Sequence, residues 1–424
     1  MVKKFSSRPF LSLLPFLLFY LLLIYLQNDD TLFGDEGRYL QFAQNLLNGF
    51  YSPPPPNINL WNGPGFPIYL LPFIALKVPL LIIKLCNAFL HYFTLVIFCK
   101  TVHKFLDEKK SFIYTVVLGC YYMPFKSLPH ILSETFVIFL VASITYLAVV
   151  FFSKSPEQKN IKLFILLAFL LAFLALTKVI FGTVFLISGI IFLLSYIVKG
   201  NVHFKNSFLL MIVSLVICLP YLVYTYSLTG RIFYWSNASG MSLYWMSNPV
   251  KGEYGEWYND SLTSATLDIS SQQTLQANHR QEYDAIQAQH GVARDDKFKE
   301  SAIQHVKENP GKIFMNWIAN ISRMLFNYPV GYTSIRLSTL ANMIANIPLL
   351  SFLLYSSLLT WRRRKEINFV FKFLLTISMI YLAGSSILSV YDRMFYILIP
   401  IYGCWIAYSL SVLRGNEKGL QKSK

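Results

Sequence analysis

Charge is the first thing this sequence lacks. Asp, Glu, Lys and Arg make up 14% of its 424 residues, where a soluble domain carries about a quarter. Acids are scarcest, 21 against 37 basic residues. A chain that is 55% hydrophobic and 17% aromatic cannot cover a soluble surface with so little charge, which excludes a soluble enzyme. Cysteine is also sparse. All five (Cys86, Cys99, Cys120, Cys218 and Cys404) fall in apolar runs, which excludes a disulfide framework and a Cys-based metal site and leaves small buried hydrophobes. No internal repeat and no inverted pair of broken helices is found, which weighs against a transporter. No small-residue cleavage site follows the first apolar run, Phe10 to Leu26, although Lys3, Lys4 and Arg8 precede it. That run therefore reads as an uncleaved membrane helix rather than a signal peptide.

What the sequence has in quantity is long apolar runs. About ten are expected to span a bilayer: 10–27, 80–100, 112–125, 133–152, 163–177, 179–198, 208–228, 337–360, 369–388 and 395–413. The run from Leu163 to Val198 is about 54 Å as a helix against a hydrocarbon core of about 30 Å, so it must be two spans. Its only charge, Lys178, marks the turn. This topology places both termini and alternate turns on one side. That side carries 20 basic residues and five acids, a net of +15, while the rest of the chain holds 17 against 16. The net charge of +16 is thus a positive-inside signal rather than a nucleic-acid footprint, and both termini are expected in the cytoplasm.

Two outer segments are too long to be turns, 28–79 and 229–336. The inner turns are short, so function is expected on the outer face. In the first segment, Tyr39, Phe42, Ala43, Leu46, Leu47 and Phe50 recur at helical spacing among polar neighbours. This predicts an amphipathic helix lying flat on the membrane interface, closed by Gly49. The stretch "SPPPPNINLWNGPGFP" then allows neither helix nor sheet and reads as an extended strap, leading to a short apolar segment from Ile68 to Leu76. The second outer segment is aromatic-rich, then helical and polar. It is nearly neutral, with ten acids and eight bases between Arg231 and Lys312. Its Trp235, Tyr244, Trp245, Trp257 and Tyr258 suit either sugar stacking or an interfacial belt and plain packing.

Chemistry at this outer face falls to few residues. Asp35 and Glu36 stand side by side at the start of the interfacial helix, where the helix dipole favours their ionised forms. A helix cap is the plain alternative for Asp35, but two carboxylates exceed what a cap needs. Ionised carboxylates there suit accepting a proton from a hydroxyl, or holding a cation near a phosphate. Glu134 opens the fourth span on the same side. His130, four residues earlier, shares its face if the helix extends back through Pro129, which gives two ligands of a weak metal motif. Lys178 and Arg393 are lone cations at outer ends of apolar stretches and are functional candidates on that ground, with snorkelling anchors as the alternative. Arg393 has Asp392 beside it as a possible local pair. Together these residues fit a reaction on a lipid-phosphate substrate: a carboxylate takes a proton from an acceptor hydroxyl while cations offset charge on a departing phosphate.

The sequence also resembles a family. "GDEGRYLQFAQNLLNG" after an apolar first helix, "GPGFPIYLLPF", "LSETFVIFL", "ALTKVIFGTVFL", "ENPGKIFMNWI" and "YDRMFYILIPIYG" occur in the order seen in GT-C glycosyltransferases. They are most similar to bacterial relatives of protein O-mannosyltransferases and of the lipid A aminoarabinose transferase, and cover nearly the whole chain. The resemblance implies an all-α polytopic bundle with juxtamembrane helices on its outer face, forming one membrane domain over 1–424. It implies a polyprenyl-phosphate-linked sugar as donor and inverting transfer to a lipid, glycan or protein acceptor, on the periplasmic face of a bacterial inner membrane. By motif, Asp35 would be the base and Glu36 its support, Glu134 a second cavity acid, and Lys178 and Arg393 the donor-phosphate ligands. Members differ in metal use, so a divalent cation, Mg or Mn, stays open and no other cofactor is implied. The chain stops about ten residues after its last span, which speaks against a large protein acceptor. The other functions weighed are a ligase or polymerase of lipid-linked glycans, which would depend on the second outer segment, and a lipid-oligosaccharide transporter, which would need polar residues strung through the spans. Asn237, Asn259 and Asn320 begin Asn-X-Ser triplets, unremarkable by chance.

Overall fold

The computed structural model describes residues 9–29, 31–153, 160–258, 262 and 267–413. The basic residues at both ends of the chain, Lys154, Lys159 and the Asn259 triplet lie outside them. Among the described residues the chain is all helix, with no strand. Each of the ten apolar runs forms helix. α1 (Leu14–Leu26) is followed by α2 (Glu36–Leu47) and α3 (Gly65–Ala75). Then come α4 (Leu80–Val102), α5 (Glu108–Gly119), α6 (Ser133–Phe152), α7 (Ile161–Thr177), α8 (Ile180–Lys199), α9 (Val202–Ile217) and α10 (Leu219–Thr229). The second outer segment folds as α11 (Ser239–Met246), α12 (Ile269–Gln287), α13 (Gly291–Glu308) and α14 (Pro310–Phe326). α15 (Leu337–Arg362), α16 (Phe369–Ser386), the single turn α17 (Arg393–Tyr396) and α18 (Ile399–Tyr408) complete the bundle.

Five of these helices (α4, α6, α8, α15 and α16) are long and apolar enough to cross a membrane, and α9 with α10 makes a sixth span bent by 50°. Pro220, at the second position of α10, lacks the N–H that would continue the α9 ladder, which accounts for the bend. The other four predicted spans are not formed by a single helix long enough to cross. α5 stops at Gly119 and passes through a 3-10 turn at Met123–Lys126. The last span is divided between α17, α18 and a π turn. The 163–198 run does break at Lys178, which closes α7. α6 sits at the centre, nearly all of it buried, and packs on α4, α7 and α18. Of the cysteines, Cys99, Cys218 and Cys404 are buried, but Cys86 is half-buried and Cys120 exposed, because α5 ends beside it.

The amphipathic helix forms as predicted and is closed by Gly49 at positive φ. Its apolar face is turned into protein rather than wholly to lipid. Tyr39, Phe42 and Ala43 join the main core against α3, while Leu47 and Phe50 stay exposed. The strap has no regular structure, and side chains hold it in place. Tyr224 accepts from the Ser52 amide at 2.9 Å, Asn237 accepts from the Leu60 amide at 3.0 Å, and the Tyr51 hydroxyl donates to the Asn62 carbonyl at 2.7 Å. Gly63 and Gly65 cross the end of α7 so closely that a Cβ on either would strike Leu176 or Thr177. That crossing lays the strap beside Lys178.

The second outer segment has its own core, built on Met241, Tyr244, Trp245, Leu275, Tyr283 and Phe298. Tyr244, Trp245 and Tyr258 are therefore packing residues, with exposures of 1%, 0% and 4%. A buried polar pair ties this core to the chain below it: His279 Nε2 meets Glu253 at 2.7 Å, and Tyr332 donates to the same carboxylate at 2.5 Å. Asn237 and Asn320 are also buried and serve as backbone ties, Asn237 to Ile58 and Leu60, Asn320 to Ser386 and Leu388.

Candidate active site

Between the outer ends of the spans and the second outer segment lies a cavity of about 1560 Å³. The residues lining it come from α2, the strap, the turns before α6 and after α7, α11, α13, the start of α15 and the start of α17. Its wall includes seven basic side chains and three acidic ones, so its field favours an anion.

Asp35 stands at the N-cap position of α2, yet its side chain makes no cap hydrogen bond, and its backbone is helical rather than extended. The capping alternative therefore fails. Both carboxylate oxygens are held by cations instead: Oδ1 by Arg38, and Oδ2 by Arg393 Nη1 at 3.1 Å. Burial alone would raise the Asp35 pKa, but the charges of Arg393, Arg38 and Lys178 outweigh it and hold the carboxyl below the ordinary aspartate value.

Glu134, in the first turn of α6, is wholly buried. Its Oε1 meets Lys178 Nζ at 2.7 Å and Arg393 Nη1 at 3.6 Å. Arg393 thus bridges Asp35 and Glu134, and four of the six residues singled out from the sequence form one connected network. Among the described residues, two polar atoms in it are buried without a hydrogen-bond partner, Glu134 Oε2 and Arg393 Nε.

Glu36 and His130 stand apart from this network. Successive residues on a helix diverge by about 100°, and Glu36 turns away from the cavity. It is fully buried and accepts from the amides of Phe33 and Ile131, each at 2.5 Å. It pins the loop before α2 to the loop before α6. His130 does not share a helical face with Glu134, because α6 begins only at Ser133. Its ring lies 4.9 Å from Phe33 and its Nδ1 3.8 Å from Glu36. Among the described residues no group of three or more metal-ligating side chains converges, and both network acids are engaged by cations. These residues do not fit a divalent cation as they stand, and no step below is routed through one.

Two solved structures match the chain over most of its length. ArnT from Cupriavidus metallidurans, solved bound to undecaprenyl phosphate, is 10% identical with a TM-score of 0.41, over 93% of this chain and 77% of that one. The Archaeoglobus fulgidus oligosaccharyltransferase, tethered by a disulfide bond to an acceptor peptide containing the NVT sequon, is 12% identical with a TM-score of 0.50, over 94% of this chain. The chain spans about half of the archaeal enzyme, 49% of its length. The chain shares the fold of the archaeal enzyme. No protein-family model matches it, and no curated protein is similar to it in sequence.

Within this helical bundle the structure adds residues that the sequence reading passed over. Arg38 looked like one more polar residue on the exposed face of α2. Its i,i+3 spacing from Asp35 was the available signal, and it also donates to Asn62 Oδ1 at 2.7 Å. Lys126 pairs with Asp392 at 2.6 Å and donates to Asn342 at 2.6 Å. Asp392 is therefore committed across the cavity, not to its neighbour Arg393. Trp61 lies under the Arg38 guanidinium, 4.9 Å from the ring centre, and meets Trp257 edge to face at 5.7 Å.

Proposed function

We propose that this chain is a membrane glycosyltransferase that moves a sugar from a polyprenyl-phosphate-linked donor to an acceptor hydroxyl, with inversion, at the outer face of a bacterial inner membrane. The observation that carries this reading is the Asp35 carboxylate. It is freed from capping, kept ionised by Arg38 and Arg393, and exposed to a large cationic cavity at the outer ends of the apolar helices. The sequence resemblance and the fold agree with it.

The chemistry follows from those positions. The acceptor oxygen attacks the anomeric carbon as its proton passes to Asp35. The bond from that carbon to the phosphate oxygen breaks on the opposite side, and the electron pair leaves with the polyprenyl phosphate. Lys178 and Arg393 offset the charge that develops there, in a buried setting where such interactions are strong. Glu134 orients both cations. Glu36 fixes the loops that present Asp35 and is a positioning residue.

The test is turnover by the purified protein of a panel of single-sugar polyprenyl phosphates, with envelope lipid and glycan extracts as acceptors. Loss of the sugar from one donor, dependent on Asp35, is expected. Turnover of oligosaccharide-lipids alone would replace this reading with a ligase, and no turnover by folded protein would contradict it.

A further inference from the structure

The cations of the cavity fall into two groups. Arg38, Lys126, Lys178, Lys299 and Arg393 each have a carboxylate within ion-pair distance. Arg294 and Arg336 have none among the described residues; Arg294 has a hydrogen bond to Gln287 Oε1 at 3.0 Å and, unlike Arg336, it faces an aromatic ring. It stands near the start of α13, with its guanidinium 5.9 Å from the centre of the Trp61 ring. Trp61 thus carries two guanidinium groups, Arg38 and Arg294, one neutralised by Asp35 and one not.

Two cations gathered around one ring repel each other, and an anion between or beside them relieves that cost. Arg38 also fixes the location of this place. It holds Asp35 with one nitrogen and lies over Trp61, so Arg294 sits two side chains away from the base. Arg294 and Asp35 are thus joined through Trp61 and Arg38. Arg393, proposed above with Lys178 for the donor phosphate, holds the other oxygen of Asp35, and Lys178 follows it through Glu134.

We propose that Arg294, Trp61 and Arg38 form the acceptor subsite, and that the acceptor is a glycan unit bearing an oxyanion, a carboxylate or a phosphate, close to the hydroxyl that receives the sugar. This rests on the glycosyltransferase reading and deepens it by naming the acceptor class. Arg294 supplies planar, two-point recognition of an oxyanion. Trp61 and Trp257 supply the apolar wall for a sugar ring. Arg38 couples the subsite to Asp35.

The experiment titrates detergent-purified full-length protein with methyl glucuronide, glucose 6-phosphate and methyl glucoside, read by tryptophan fluorescence. Undecaprenyl phosphate is titrated in parallel. Both anionic probes are expected to half-saturate at about tenfold lower concentration than the glucoside, the scale of one charge-assisted hydrogen bond. Arg294→Gln should bring the three probes level, and Arg294→Lys, which keeps the charge but loses the planar fork, should keep only part of the preference. Undecaprenyl phosphate should bind every variant within about twofold of wild type, since Arg294 lies outside the donor contacts. The order of the two anionic probes tells carboxylate from phosphate. Equal binding of the glucoside, a preference that survives Arg294→Gln, or no binding of any probe overturns the proposal. If undecaprenyl phosphate binds nowhere, the donor reading fails, while the anion preference is still decided by its own three probes.

Discussion

Arg393 reaches Asp35 across 358 positions of sequence, with Nη1 3.1 Å from Oδ2. The same nitrogen lies 3.6 Å from Glu134. One guanidinium thus joins the start of the first outer helix, the first turn of the central span and the beginning of the last span. The site is assembled only when the whole bundle is.

Arg38 shares in keeping Asp35 ionised, so removing it should be visible in the pH dependence. Asp35 has a lowered pKa, so base function is present above that value and is lost as pH falls through it. In Arg38→Gln one of the two directly contacting cations is gone, and the acid limb of the transfer rate should move to higher pH. A pH profile of transfer for the two proteins checks this. An unmoved acid limb would separate Asp35 from the rate.

Glu134 neutralises Lys178 and half-neutralises Arg393 while wholly buried. Glu134→Ala leaves Lys178 unmatched and Arg393 with Asp35 alone, and breaking a buried pair from one side costs about 3–5 kcal/mol. Denaturation of the detergent-solubilised protein should show a loss on that scale. Glu134→Gln keeps the shape and should fold better, with transfer still reduced because Lys178 is no longer held by charge.

Gly63 is a more local test. A Cβ there meets the Leu176 carbonyl, which is backbone and cannot swing away. Gly63→Ala should push the strap off the end of α7 and displace Trp61 and Asn62 from Arg38. Transfer should fall by at least about tenfold, the cost of roughly 1.4 kcal/mol in positioning, with the spans still inserted. Wild-type transfer would show that the crossing does not position the site.

Sequence showed the bundle and half of the site for identifiable reasons. Apolar runs and the sidedness of charge depend on composition, so they survive without tertiary knowledge. Lys178 was legible because it was the one charge in a run too long for a single helix. Asp35 was legible because a second carboxylate beside it exceeded any cap. The division of labour within that pair was not, since it depends on the Ile131 amide, 95 residues away. Lys126 and Asp392 are 266 residues apart, and nothing local marks them as partners. His130 was placed on the face of Glu134 by spacing, but α6 starts three residues too late. Arg294 lay in a nearly neutral helix, and only the fold brings it to Trp61.

The outer segment carries a separate prediction. Glu253 keeps a lowered pKa despite burial, chiefly through His279, so its contribution to stability is present above the unfolded glutamate value and lost as pH falls through the folded one. His279→Ala should lower stability by about 2 kcal/mol, since Tyr332 and Asn278 still bind the carboxylate. Thermal unfolding near neutral pH and at pH 4 should show the difference between the two proteins shrinking in acid.

The central claim is that Asp35 is the base of a sugar transfer. Its most direct measurement is mass spectrometry of lipids and envelope glycans from cells lacking the gene, complemented with wild type or with Asp35→Asn. The account predicts a glycan that loses one sugar in the null, regains it with wild type, and stays short with an Asp35→Asn protein that inserts normally. Full restoration by Asp35→Asn would contradict it.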